Sequence, residues 1–218
     1  MTTFPRSPRL LKGGIVLINS DTSSVKRIIA LQYNPTTLTR TLQGQTMGEE
    51  GDRSQTLRLK GPPVETYKLD AEIDAADQLE FPDQNEEIKK NGITPILSAL
   101  EIIIYPASSQ LLANNSLAAS GTLEIAPTEA PLMLFVWSKN RVLPVQLTDF
   151  SITEEAFDPN LNPIRAKVSL GMRVLTVNDL GFDHKGGNLY MAYHQQKEQL
   201  AAKFKSGELS ALGIGEIP

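Results

Sequence analysis

The sequence predicts a mainly β protein: a β-barrel or sandwich of long antiparallel strands, with one packed helix and a C-terminal helix. Three stretches carry that expectation. From Ile164 onward, Ile164, Ala166, Val168, Leu170, Met172 and Val174 alternate with Arg165, Lys167, Ser169, Gly171 and Arg173. A period of two marks a strand with one dry and one wet face. Tyr67, Leu69, Ala71 and Ile73 alternate with Lys68, Asp70, Glu72 and Asp74 in the same way. Ile93, Ile96, Leu97, Leu100, Ile103 and Ile104 instead recur at i, i+3, i+4 and i+7, the spacing of one helix face.

Taken in order, the chain opens with a polar, proline-bearing arm over 1–12. Gly14 to Asn19 is a short apolar strand, and 19–24 is a turn cluster. Val25, Arg27, Ile29, Leu31 and Tyr33 share one face of the next strand. Asn34-Pro35 breaks it, and Leu38, Arg40 and Leu42 are expected to resume it. Gln43 to Asp52 is glycine-rich and aperiodic, hence a loop. Leu57 and Leu59 alternate with Thr56, Arg58 and Lys60, and Gly61-Pro62-Pro63 turns the chain into the Tyr67 strand. Those two strands are expected to form a ribbon.

Thr94 is read as the cap of the helix, with Pro95 opening its first turn and Pro106 ending it. Small polar residues over 108–127 predict a loop. Leu132 to Trp137, apolar on both faces, predicts a central strand.

Val142 to Val177 reads as one long two-stranded ribbon. Leu143, Val145 and Leu147 are apolar at odd positions, whereas Phe150 and Ile152 are apolar at even ones. The flip predicts a bulge near Thr148 and Asp149. Asp158-Pro159 and Asn162-Pro163 make the loop at the tip. Asn178 to Gly181 turns the chain, His184 to Gly187 is read as a further break, and Leu189 to Phe204 predicts a helix with a thin apolar stripe of Leu189, Tyr193, Leu200 and Phe204. Residues 206–218 form a tail.

The totals exclude several classes. The 218 residues hold no Cys, so disulfides, thiolate metal sites and a Cys nucleophile are excluded, and an intracellular product is expected. A formal net charge of -4 gives no reason to expect nucleic acid. No signal peptide and no membrane-inserting span are expected, because no apolar run approaches the necessary length.

Candidate chemistry is thin. Asp70, Glu72, Asp74, Asp77 and Glu80 lie close together, and paired carboxylates can act as acid and base in a cell-wall carbohydrate hydrolase. Alternation, however, puts Asp70, Glu72 and Asp74 on a wet strand face, where no desolvation tunes them. A calcium loop would need a glycine and a terminal glutamate that are missing here. His184 and His194 form no H-x-x-x-H pair, no G-x-S-x-G is present, and the glycines match no phosphate-binding spacing. Trp137 beside Phe135 reads as core ahead of a sugar platform for a carbohydrate-binding module. Glu154 and Glu155 sit near the ribbon tip, solvated or facing a basic neighbour. No enzyme, catalytic residue, cofactor-binding residue or metal ligand is expected.

Several ordered blocks nevertheless resemble one family. They are Leu31-Gln32-Tyr33-Asn34-Pro35 through Leu38-Thr39-Arg40, and Gly61-Pro62-Pro63-Val64-Glu65-Thr66 leading to Leu69-Asp70-Ala71. Next come Gly92-Ile93-Thr94-Pro95 through Leu100-Glu101 to Tyr105-Pro106, and Pro131-Leu132 to Phe135-Val136-Trp137. The most specific is the run from Ser151 to Ala166. Together, from about Gly14 to Leu175, they resemble the tube-type proteins of contractile injection systems, the phage-tail-like particles. Within these, the match is to the family whose N-terminal domain forms a tube-like ring in the baseplate hub.

The resemblance implies an arm over 1–13, a tube-like β domain over 14–180, and a C-terminal helix and tail over 181–218. It implies six copies closed into a ring between spike and inner tube, initiating tube assembly; an inner-tube subunit proper is the near alternative. Implied partners are further copies of the chain, spike and tube proteins above and below, and a baseplate wedge or sheath-adaptor protein at the C-terminal tail. The implied location is the bacterial cytoplasm during assembly, then a particle that is cytoplasmic, membrane-anchored or released. Longer members resemble a tube domain joined to a C-terminal lysin-motif module, which is not expected here because the chain ends at Pro218.

Overall fold

Among the described residues, seven antiparallel strands form a single sheet in the order β2-β1-β5-β6-β7-β4-β3. The strands are β1 (Gly14–Ile18), β2 (Val25–Ala30), β3 (Thr39–Gln43), β4 (Val64–Asp74), β5 (Leu132–Ser138), β6 (Arg141–Phe157) and β7 (Pro163–Val174). The helices are α1 (Ala76–Leu79), α2 (Glu86–Asn91), α3 (Thr94–Glu101), α4 (Ser108–Ala119), α5 (Val177–Leu180) and α6 (Lys185–Ala201). This computed structural model describes residues 10–46, 58–121 and 130–217. The N-terminal arm up to residue 9, most of the Gln43–Asp52 loop, Thr56 and Leu57, and 122–127 of the expected loop lie outside the described residues.

The mainly β class holds, and the long ribbon is its spine. β6 and β7 pair from Val145↔Val174 to Phe157↔Pro163, and their register shifts between Leu147 and Asp149, where the parity flip placed a bulge. Gly171 sits opposite Asp149, and a Cβ there would meet the Asp149 carboxylate at 2.7 Å, so the bulge needs glycine as its partner. Along β7 the predicted face is dry: Ala166, Val168, Leu170, Met172 and Val174 are buried. β4 contributes Tyr67, Leu69, Ala71 and Ile73 to the same core, and β5 contributes Met133 and Phe135. β5 lies between β1 and β6, with its opposite face buried by Leu132 and Leu134 against Ile18 and Leu180, as its two apolar faces require.

The sheet curls around this core. Leaving β2, the Gln32 side chain pairs with the backbone of Asp74 at the end of β4. Its Nε2 donates to the Asp74 carbonyl at 2.6 Å, and the Asp74 N–H donates to its Oε1 at 2.9 Å. One side-chain amide thus stands in for a strand at that corner. α3 plugs the opening with Ile93, Leu97 and Leu100. Gly92, at φ +58, brings α2 against the ribbon tip, and the Ile93 N–H donates to the Pro163 carbonyl at 2.9 Å. A Cβ on Gly92 would lie 2.2 Å from that carbonyl oxygen, so no other residue fits.

Five expectations are corrected. The strand at Leu38 to Leu42 does not resume β2: β3 pairs with β4, at the opposite edge of the sheet. Pairing is decided across the chain, and alternation carries no information about it. The described ribbon partner of β4 is therefore β3 and not residues 58–60, of which Leu59 makes one isolated bridge, to Thr46. Thr94 is the first residue of α3 and not its cap; Ile93 holds the cap position with no side-chain bond. Residues 108–119, expected as loop, form α4. His184 to Gly187 is no break: the His184 Nδ1 accepts from the Gly186 N–H at 3.1 Å and starts α6.

Candidate functional site

Parity along β4 leads to Glu65, the one buried carboxylate among the described residues. If Tyr67, Leu69, Ala71 and Ile73 point inward, so must Glu65, two residues before Tyr67. Its side chain is 3% exposed. A carboxylate there costs several kcal/mol unless donors surround it, and the fold supplies them. Its Oε1 accepts from the Tyr67 hydroxyl at 2.9 Å and from the Tyr193 hydroxyl at 3.1 Å. Its Oε2 accepts from the Lys197 ammonium at 2.9 Å, and the Arg40 guanidinium stands 3.9 Å away. Lys197 also lies 4.2 Å from the centre of the Tyr193 ring. Tyr193 and Lys197 share one side of α6 through their i, i+4 spacing, so the cluster fastens α6 to the sheet.

Burial, the bond from Tyr193 and the charge of Glu65 push the Tyr67 hydroxyl well above the ordinary phenol range. Burial also pushes Tyr193 up, with Glu65 adding to it. Both phenols stay neutral donors, and both carboxylate oxygens are engaged by protein groups. The arrangement specifies how a helix docks. Of its members, the sequence reading found Tyr67 and Tyr193 as apolar-face residues and missed the partnership of Glu65, Lys197 and Arg40. The inward parity of Glu65 was the available signal.

The five acidic residues do not form a catalytic pair. Asp74 pairs with its cross-strand neighbour Arg165 at 2.7 Å, and Glu72 stands 3.8 Å from the same guanidinium. Lys167 reaches Glu155 at 2.8 Å, so the outer face of β4, β7 and β6 carries a ladder of alternating charge. The Ala76 N–H and then Arg165 hold Asp74 below the usual carboxylate range, which is the opposite of what a general acid needs. Asp70, Asp77 and Glu80 are exposed. Glu155 thus faces a basic neighbour within its own chain.

His194 stacks on Tyr190 and lies 3.4 Å from Glu198. Trp137 is half-buried against Phe135, with ring centres 5.9 Å apart. Among the described residues, no group of three His, Asp or Glu side chains could hold a metal, and no helix is long and apolar enough to cross a membrane.

Two concavities of about 560 and 570 Å³ flank the turn after α3. Ile103 and Ile104 line both, with Leu147, Leu175 and Leu180 in the first and Leu17 and Tyr105 in the second. The charged groups at the first, Arg173 and Asp179, are paired with each other. Asp179 also accepts from the Thr176 N–H at 2.8 Å and the Thr176 hydroxyl at 3.0 Å, closing a capping box at α5. These groups build a helix start, and Gln146 and His184 add polar side chains to the lining of the first concavity.

No family model and no curated protein matches the chain. Among solved structures, it is similar to a chain from the tail of an empty GTA particle of C6 symmetry, at 12% identity. The match covers 75% of this chain and 90% of that one, with a TM-score of 0.28. That score is too low to bear on what this chain does.

Proposed function

We propose that this chain is a structural ring subunit of a contractile injection system, placed in the baseplate hub between spike and inner tube, where it starts tube assembly. The observation that carries the reading is the sheet's two ends. Among the described residues, β2 and β3 each pair on one side only and lie at opposite ends of the strand order. All five residues of β3 and five of the six in β2 are exposed. A subunit with two different free edges can associate head to tail, and such association closes into a ring when the rotation fits. Closure also removes edges that would otherwise template aggregation.

The ordered blocks from Leu31 to Ala166 support the same reading. So does the described surface, which leaves Leu42, Ile28, Phe157 and Leu161 exposed without a ligand site to explain them. In this reading the partners are six copies of the chain, spike and tube proteins above and below, and a wedge or sheath-adaptor protein at the C-terminal tail. The chain turns over no substrate, assembles in the bacterial cytoplasm, and then belongs to the particle.

Negative-stain imaging of the purified chain at rising concentration tests this. Six-fold rings are the expected result, together with loss of tubes from particles assembled without the chain. A monomer at every concentration, with normal tubes in its absence, overturns the proposal.

A further inference from the structure

α4 is the anomaly of the described surface. It runs for 12 residues and buries none of them. A helix of that length is marginal in water without packing on an apolar face. It is also the centre of a run without charge: from Ile102 to Gly121 there is no Asp, Glu, Lys, Arg or His. About a fifth of the chain is charged, so roughly four charged side chains would be ordinary over that length. In their place stand Ile102, Ile104, Tyr105, Leu111, Leu112 and Leu117, all exposed. A solvated helix face is normally charged, and an exposed apolar surface rimmed by amides marks a contact.

We propose that the neutral face from Ile102 to Gly121 is where this chain meets a second copy of itself, an inference that rests on the ring reading and names one of its contacts. The absence of charge selects the partner. Without Lys or Arg the face has nothing to attract nucleic acid, an anionic membrane or an acidic protein. Without Asp or Glu it has nothing for a basic partner. Copies of a chain of net charge -4 repel one another, and the repulsion is least where they meet through neutral surface. Asn114 and Asn115 add side-chain amides, which carry both donors and acceptors.

Two measurements on the full chain decide the matter. In sedimentation velocity, Leu112→Glu with Leu117→Glu is expected to weaken self-association at least tenfold while leaving the circular dichroism of the dilute monomer unchanged. Gln199→Glu with Ala202→Glu, equal charge added at the exposed C-terminal end of α6, is expected to assemble as the parent does. The chain has no Cys, so Asn115→Cys introduces a unique thiol. Maleimide labelling of that thiol is expected to slow at least tenfold on assembly and not in the dilute monomer. Undiminished assembly of the Leu112→Glu, Leu117→Glu chain, or equal labelling in both states, overturns this contact while rings of the parent chain leave the ring reading standing. A parent chain that never self-associates overturns both.

Discussion

α4 and α6 are two long helices of one chain, built on opposite terms. α6 buries Tyr190 and Tyr193 and is anchored by Lys197 on a buried carboxylate. α4 buries nothing and carries no charge. A helix inside a monomer is held by what it covers, and α6 shows the usual arrangement. α4 has the composition of a covered helix without the cover, which is how a surface completed by assembly would look. On the proposed contact, the contrast separates residues that serve the subunit from residues that serve its neighbours.

The sharpest way to break the contrast is to truncate one residue on each helix. Tyr193→Ala removes a buried ring and a donor to Glu65, and it is expected to cost about 3 kcal/mol in urea unfolding. Leu112→Ala on α4 is expected to change monomer stability by less than about 0.5 kcal/mol. Equal costs would mean that α4 is integrated into the monomer fold and would erase the distinction.

A smaller effect is expected at the start of the segment that leads into α6. Burial raises Asp179, but the Thr176 N–H, the Arg173 guanidinium and the Thr176 hydroxyl outweigh it and hold the carboxyl below its ordinary value. A depressed carboxylate contributes stability above the unfolded value, near pH 4, and loses it as pH falls through the folded value. Asp179→Asn is therefore expected to cost about 1 kcal/mol at pH 7, with the gap to the parent narrowing as pH drops below about 4. A gap constant with pH would show that the charge is immaterial to the cap.

The smallest effect is expected at the ribbon tip, which resembles α4 in presenting an apolar side chain to water. Leu161 is 79% exposed and sits at φ 64, in left-handed geometry that costs a leucine free energy. Asp158 fixes this turn by accepting from the Asn160 and Asn162 N–H groups at 2.7 and 2.8 Å. Leu161→Gly is expected to stabilise the monomer slightly in urea unfolding, by about 0.5 kcal/mol of relieved strain net of the added chain entropy. A loss of stability would show that the Leu161 side chain packs within the monomer.

Much of the sheet was legible because burial writes itself into parity. Ala166 to Val174 and Tyr67 to Ile73 announced a dry face, and the flip between Leu147 and Phe150 announced the bulge. The same rule extends to Glu65, two residues before Tyr67, although the reading stopped at Tyr67; its partner Lys197 lies 132 positions away and no local pattern reports it. α4 was illegible for a different reason. Its apolar residues follow no single stripe, so periodicity reads loop where the backbone is helical.

By itself the sequence determined which faces are dry, where the ribbon bends, that no Cys chemistry exists here, and that 102–121 is neutral. Those are local properties, fixed by the order of side chains along a strand or helix. Only the tertiary structure decided that β2 and β3 lie at opposite edges, that Gln32 closes the corner at Asp74, and that Glu65, Tyr67, Tyr193 and Lys197 meet. Contacts between distant segments depend on how the whole sheet curls, and a pattern with a period of two residues holds no record of its partner.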